Sequence, residues 1–151
     1  MKKVTLLLLA IFISLPMFTK ADNSINLTPV PKSMTVGNGT LTLPQSFTIA
    51  TGELPDSLSA EAVKFAEHFS KVTGYAVEVK TTAADALITL SLYNGNEELG
   101  CEGYTLDVTT NGINISAICS NGFYYAFQSI KKMLPANVMA GVKDAQVTEY
   151  T

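Results

Sequence analysis

Few residues in this 151-residue chain have the type and spacing to do chemistry. His68 is its single imidazole, so any Ser-His-Asp, Cys-His or multi-histidine centre would have to use it. Its neighbours at helical spacing are Lys64 and Lys71, which reads as a solvated helix face rather than a catalytic one. Glu97 and Glu98 form an adjacent carboxylate pair beside a turn. Paired carboxylates do acid–base work only when their surroundings push their pKa values apart, and nothing here predicts burial. Gly37-Asn38-Gly39 is followed by no helix and so does not read as a phosphate loop. Lys131 and Lys132 lack interleaved aromatic partners and read as a solvated face. Asn26, Asn38 and Asn114 each begin a glycosylation acceptor triplet, a common chance occurrence in a Ser/Thr/Asn-rich chain. Tyr104, Tyr124 and Tyr125 could form a platform for sugar stacking, but core packing or an interdomain contact accounts for them more economically. The sequence therefore nominates no catalytic, cofactor-binding or metal-ligating residue and calls for no cofactor.

Two cysteines remain. Asn111-Gly112 lies between two alternating runs and reads as a two-residue hairpin turn. That register sets Thr110 opposite Ile113 and Tyr104 opposite Cys119. Strand parity then places Cys101 on the other face, so the expectation leans against a Cys101–Cys119 disulfide. Metal binding by two cysteines without a nearby histidine is weaker still.

The elements that would position these groups begin after an export-like segment. Lys2 and Lys3 precede an apolar run over 4–18 that Ser14 and Pro16 interrupt. The run is shorter than the roughly 20 residues that span a bilayer. Thr19 and Ala21 are small residues at the two positions a signal peptidase reads. Residues 1–21 are therefore expected to be a signal peptide, with an uncleaved anchor as the alternative, and 22–151 the mature domain. No cysteine stands near the cleavage point to suggest a lipoprotein anchor. The expected destination is the cell envelope or beyond, secreted or periplasmic, with no membrane span left after cleavage.

All ten positive charges are lysines, and the chain has neither Arg nor Trp. Cleavage would remove three lysines and leave seven positive against thirteen negative charges, a net charge of −6. Such a surface repels polyanions, and arginine is the usual residue for gripping phosphates and base edges, so nucleic acid is not an expected partner. The length suits one domain and is too short for a (β/α)8 barrel, which needs about 250 residues.

Periodicity predicts strands at 33–36 and 40–43 about the Gly37–Gly39 turn, then at 47–50, 75–80, 86–92, 103–109 and 113–119. A helix runs from Ser59 to a Gly74 stop, with Ala62, Phe65, Ala66, Phe69 and Val72 on one face and Glu61, Lys64, His68 and Lys71 on the other. Ser120 or Asn121 caps a second helix ending at Leu134 before Pro135, with Phe123, Phe127, Ile130 and Leu134 as its buried stripe. Residues 138–142 and 145–150 make a last hairpin or a tail. The expected fold is α+β: a mostly antiparallel sheet with two amphipathic helices on one face.

Three groups of residues then stand out together: Glu102-Gly103-Tyr104-Thr105-Leu106, Gly112-Ile113, and Gly122-Phe123-Tyr124-Tyr125-Ala126-Phe127-Gln128-Ser129-Ile130. With the opening Leu27, Pro29 and Pro31, they resemble the N-terminal, non-catalytic domain of the glycoside hydrolase family 20 β-N-acetylhexosaminidases. Ala126, Ser129 and Lys132 depart from that family's commoner Gly, Thr and Gln. The resemblance implies an accessory domain packed beside a (β/α)8 barrel, normally on the same chain. That barrel carries an Asp-Glu pair, the Glu as general acid and the Asp orienting the substrate's 2-acetamido group. No Asp-Glu dipeptide occurs here, so the chain alone is expected to be inactive. The alternatives are a free-standing carbohydrate-binding or protein-interaction domain, with glycan as its partner, or the accessory domain of another glycosidase such as an α-glucuronidase. Between Leu134 and Thr151 no Pro/Ser/Gly-rich linker holds two domains apart. Val138-Met139-Ala140 and Val142 are instead expected to form an apolar surface that the barrel covers.

Overall fold

The computed structural model describes residues 27–140, apart from 29, 38 and 96–97. The expected signal segment, Asn26, Asn38, Glu97, Val142 and the 145–150 stretch lie outside the described residues. Strand β1 (Ser46–Ala50) leads into helix α1 (Asp56–Thr73), and strands β2 (Ala76–Lys80), β3 (Ile88–Leu92), β4 (Tyr104–Val108) and β5 (Ile113–Ala117) follow. Helix α2 (Ser120–Met133) and the single turn α3 (Ala136–Met139) complete the described chain. The strands form one sheet in the order β2-β1-β3-β5-β4.

The α+β class holds, but the sheet is not mostly antiparallel. β1 runs parallel to both β2 and β3, β3 runs parallel to β5, and only β4–β5 is antiparallel. Period-two alternation fixes which face a side chain takes and carries no information on a neighbour's direction. Here α1 is the crossover that returns the chain from β1 to β2. The connection over 81–87 then takes it past β1 to β3 rather than turning β2 back as a hairpin.

The expected strands at 33–36 and 40–43 are absent, and that stretch is irregular. Its flanking prolines, Pro31 and Pro44, have no amide to give a ladder. The segment still contributes to the core, because Leu41 and Leu43 are buried. An added Cβ on Gly39 would lie 2.6 Å from Thr110 Cγ2, so the segment presses against the β4–β5 turn.

Both helices cover one face of the sheet. Phe47, Ile49, Ile88, Leu90, Ile113 and Ile115 point from the strands into one cluster with Phe65 and Phe69 of α1 and Phe123, Phe127 and Ile130 of α2. The helix faces are those the periodicity predicts, except that Thr73 is buried at the end of α1 where Val72 was expected. Phe65 stacks on Phe127 at 4.4 Å between ring centroids and on Phe69 at 5.2 Å, which stitches α1 to α2. Gly74 ends α1 in the left-handed region (φ 78°), with its N–H donated to Ser70 O. Neither predicted cap serves α2: Cys119 is its N-cap, without a side-chain hydrogen bond.

The other face of the sheet presents Thr89, Ser91, Thr105, Asp107, Asn114 and Ser116. Ser91 and Ser116 pair across β3 and β5 at 2.8 Å. This face is hydroxyl-rich and readily solvated.

Candidate docking surface

The motif residues fall at the two ends of the β4–β5 pair: Gly112 and Ile113 at its turn, and Gly103, Tyr104 and Gly122 where β4, β5 and the start of α2 meet. The β4–β5 register sets Val108 opposite Ile113 and Tyr104 opposite Ala117, not Cys119. Thr109 N–H donates to Gly112 O at 2.9 Å, so the two turn residues are Thr110 and Asn111, one position earlier than predicted. Thr109 Oγ1 accepts the N–H groups of Asn111 and Gly112, each at 3.2 Å, and such a hydroxyl bridge stabilises a tight turn. Gly112 serves a different purpose from the one its place beside Asn111 suggested. A Cβ there would stand 2.7 Å from Leu87 O, the carbonyl that accepts Ile113 N–H at 2.8 Å. Only glycine lets β3 and β5 approach at that point.

Gly122 meets a similar constraint. Its missing Cβ would lie 2.4 Å from Gly103 O and 2.7 Å from Ala117 Cβ. Further along α2, Ser129 Oγ and the Tyr104 hydroxyl are 2.6 Å apart, a helix-to-strand hydrogen bond that a Thr at 129 would also supply. Tyr104 therefore packs structurally and does not form a sugar platform.

Cys101 and Cys119 are disulfide-bonded, with Cα atoms 5.0 Å apart, which corrects the expectation from strand parity. Parity does not reach Cys101, because it sits in the turn before β4 rather than in the strand. That turn is closed by Gly103 N–H donating to Gly100 O at 2.8 Å. Cys119 lies just past β5, at the junction with α2.

The outer side of the helix layer differs from the sheet's polar face. A cleft of ≈ 300 Å³ runs between α1 and α2, floored by Phe65 and Phe127 and rimmed by Glu61, Lys64, His68, Gln128 and Lys131. Tyr124 is 47% and Tyr125 41% exposed there, in edge-to-face contact at 5.3 Å. Lys64 pairs with Glu61 at 2.7 Å. Partial burial pushes the Lys131 ammonium below its ordinary value of 10.5. Lys132 Nζ instead donates to Thr28 O. His68 is exposed at the cleft rim, away from any nucleophile–base pair.

Of the predicted apolar C-terminal patch, Val138 and Met139 turn inward, Ala140 is exposed, and Val142 lies outside the described residues. Val138 is 2% exposed and Met139 packs on the same core, so these two are covered by the domain itself. The stretch amounts to a single helical turn, whose alternation was too short to reveal its buried side. On the helices, the exposed large apolar side chains among the described residues are Val63 of α1 and Tyr124 and Tyr125 of α2.

A second cleft, ≈ 370 Å³, lies where β1 and β2 end and α1 begins, lined by Thr51, Glu53, Asp56 and Lys80 among others. Glu78 beside Lys80 holds that ammonium above its usual value. Glu98 is exposed on the loop before β4 and Asn114 is exposed on the polar sheet face. Among the described residues no group of three or more His, Cys, Asp and Glu is placed to hold a metal ion. No helix of the described residues is long and apolar enough to cross a membrane.

Comparison with solved structures finds the same fold in β-N-acetylhexosaminidases. The Streptomyces plicatus β-hexosaminidase aligns at TM-score 0.65 and 26% identity, over 78% of this chain and 22% of its own. The Streptomyces coelicolor A3(2) β-N-acetylhexosaminidase gives 0.60 and 26% over the same shares. The Bacteroides fragilis NCTC 9343 β-N-acetylhexosaminidase gives 0.57 and 23%, over 75% of this chain and 22% of its own. This chain thus corresponds to less than a quarter of each of those proteins. A search of curated proteins returns no match. The family profile described as glycosyl hydrolase family 20, domain 2, matches residues 24–150. A match over that much of the sequence, on a fold shared with hexosaminidases, means that the chain belongs to glycosyl hydrolase family 20 and constitutes its domain 2.

Proposed function

We propose that this domain serves an exported β-N-acetylhexosaminidase, docking its helix layer on the (β/α)8 barrel where the chemistry occurs. One observation carries the reading: the two faces of the domain are chemically unequal. The open sheet face is hydroxyl-rich and needs no cover, whereas the helix layer exposes Tyr124 and Tyr125 beside a phenylalanine-floored cleft. Contacts between domains of one chain commonly bury about 600–1,500 Å², and exposed aromatic residues are what such contacts cover. The turn α3 packs against α1, so residue 140 lies on the helix side of the sheet. Export is supported by the apolar segment at 4–18 and by the disulfide, which persists in an oxidising compartment.

The division of labour follows from chemistry. Protonation of a leaving glycosidic oxygen needs a carboxylic acid held at raised pKa beside a second carboxylate. Among the described residues, acidic side chains stand on loops, on helix faces and, as Glu78 and Asp107, on exposed strand positions, and none is a buried carboxylate. The purified chain is therefore expected to show no turnover of an aryl β-N-acetylglucosaminide. It should bind a hydrophobic dye or self-associate with rising concentration, and Tyr124→Ser/Tyr125→Ser should abolish both. Hydrolysis that survives removal of contaminating enzyme would overturn the reading. The two exposed tyrosines also permit a glycan-binding reading. Saturable uptake of chitin oligosaccharides by a monomer that binds no dye would favour that one.

A further inference from the structure

The cleft between α1 and α2 has an apolar floor and an unbalanced rim. The stacked rings of Phe65 and Phe127 close it from below, and the half-exposed Tyr124 stands beside them. Its volume of ≈ 300 Å³ is at the lower end of the about 300–1,000 Å³ that ligand pockets occupy, which suits one protruding side chain. The charges on the rim are not all matched. Lys64 has its counter-ion, because Glu61 accepts its ammonium at 2.7 Å. On α2, Lys132 lies outside the cleft lining and donates to Thr28 O. Lys131 does line the cleft and is half-buried, yet among the described residues no carboxylate pairs with it. Only desolvation acts on its ammonium, which it holds below the ordinary value of 10.5. A cation partly withdrawn from water without a counter-ion carries a cost that an arriving anion offsets. Gln128, one turn before Lys131 on the same face of α2, offers that anion an amide donor.

We propose that this cleft receives an acidic side chain, carried next to an apolar one on the surface of the barrel, with the carboxylate pairing to Lys131 and the apolar group covering Phe65 and Phe127. A single lysine with no arginine beside it suits one monovalent carboxylate and not a phosphate, which calls for several cations or a guanidinium fork. Glu61, already paired with Lys64, leaves Lys131 as the charge that selects the occupant. The aromatic floor supplies contact area and the lysine supplies discrimination, so an apolar group alone fills the cleft without satisfying it. The proposal rests on the docking reading for where the acidic side chain comes from, and not for the preference of the cleft itself.

That preference can be measured on the purified chain by NMR titration with three probes that share a phenyl body: 3-phenylpropionate, 3-phenylpropionamide and 3-phenylpropylamine. The carboxylate should bind about fivefold more tightly than the amide, the size of a partly exposed ion pair, and the amine should bind most weakly. Shifts should centre on His68, Gln128 and Lys131 and spare Ser91 and Ser116 on the far face of the sheet. In Lys131→Gln the carboxylate and the amide should bind alike, whereas Lys132→Gln should keep the fivefold preference. The comparison of probes on the wild-type chain carries the test even if a variant does not fold. Equal affinity for carboxylate and amide would overturn the proposal. So would shifts that avoid the cleft, or no binding by any of the three. No barrel enters these titrations, so a chain that neither binds dye nor self-associates would count against the docking reading alone, and a lost carboxylate preference against this proposal alone.

Discussion

Replacing Gly122 with alanine sets helix propensity against close packing, and the structure decides which wins. Glycine in a helix costs about 1 kcal/mol relative to alanine, so Gly122→Ala would stabilise an unencumbered helix by that amount. The new Cβ, however, would lie 2.4 Å from Gly103 O and 2.7 Å from Ala117 Cβ, where ordinary contact begins at 3.4 Å. The start of α2 must then move by about 1 Å relative to β4 and β5, since a backbone carbonyl and an alanine methyl have no torsion through which to yield. Overpacking of this kind costs about 1–3 kcal/mol, and two rigid neighbours put Gly122→Ala at the upper end. The net expectation is a loss of about 2 kcal/mol. With a urea m-value of about 2 kcal/mol per molar, the midpoint should fall by about 1 M. Gly37→Ala is the control: no atom lies within 4 Å of its Cβ position and it has no positive φ, so its effect should stay within about 0.5 kcal/mol. Melts of both variants in the oxidised state give the comparison. A Gly122→Ala midpoint at or above wild type would refute the reasoning, because propensity would then outweigh a contact that is not truly close.

Phe127→Ala removes the ring stacked on Phe65 at 4.4 Å and should cost about 3–5 kcal/mol, read by the same melts; under about 1 kcal/mol would contradict its burial. A double-mutant cycle on Tyr104→Phe and Ser129→Ala should return a coupling of about 1 kcal/mol from the 2.6 Å hydroxyl pair, and zero coupling would show the bond to be incidental. Burial holds Lys131 below 10.5 in the folded chain, so in the window just under that value the unfolded chain binds more protons and stability rises with pH. Lys131→Gln should flatten that rise in urea melts taken across the window, and an unchanged slope would remove Lys131 as its source.

Sequence periodicity revealed the helices because each has a long apolar stripe. Phe65, Phe69, Phe123 and Phe127 recur at spacings that admit only one buried face, and that face is the observed one. Strand order was not legible for a physical reason. Phe47, Ile49, Ile88 and Leu90 would bury in the same way whether their neighbours ran parallel or antiparallel, and the 81–87 connection can either turn or cross. The Cys101–Cys119 bond was hidden by treating Cys101 as a strand residue, when Gly100 and Gly103 hold it in a turn. The open tyrosines were visible as residues, but which side of α2 faces solvent next to a cleft depends on where α1 lies, a long-range fact.

The residues that carry the family resemblance turn out to do mechanical work. Gly112 admits the Leu87 carbonyl at the β4–β5 turn, while at the other end of β5, where β4 and α2 meet it, Gly122 admits the Gly103 carbonyl and Tyr104 reaches Ser129. A signature built from such contacts constrains the fold tightly, because each glycine answers a backbone atom that cannot move aside. It leaves the attached chemistry unconstrained, since none of these atoms could touch a substrate while holding the corner together. The corner's consequence for function is positional. It fixes the height of α2 over the sheet, and so decides where Tyr124 and Tyr125 emerge beside the Phe65–Phe127 cleft. Glycine variants that shift α2 should therefore weaken docking at that outer face in proportion to their loss of stability.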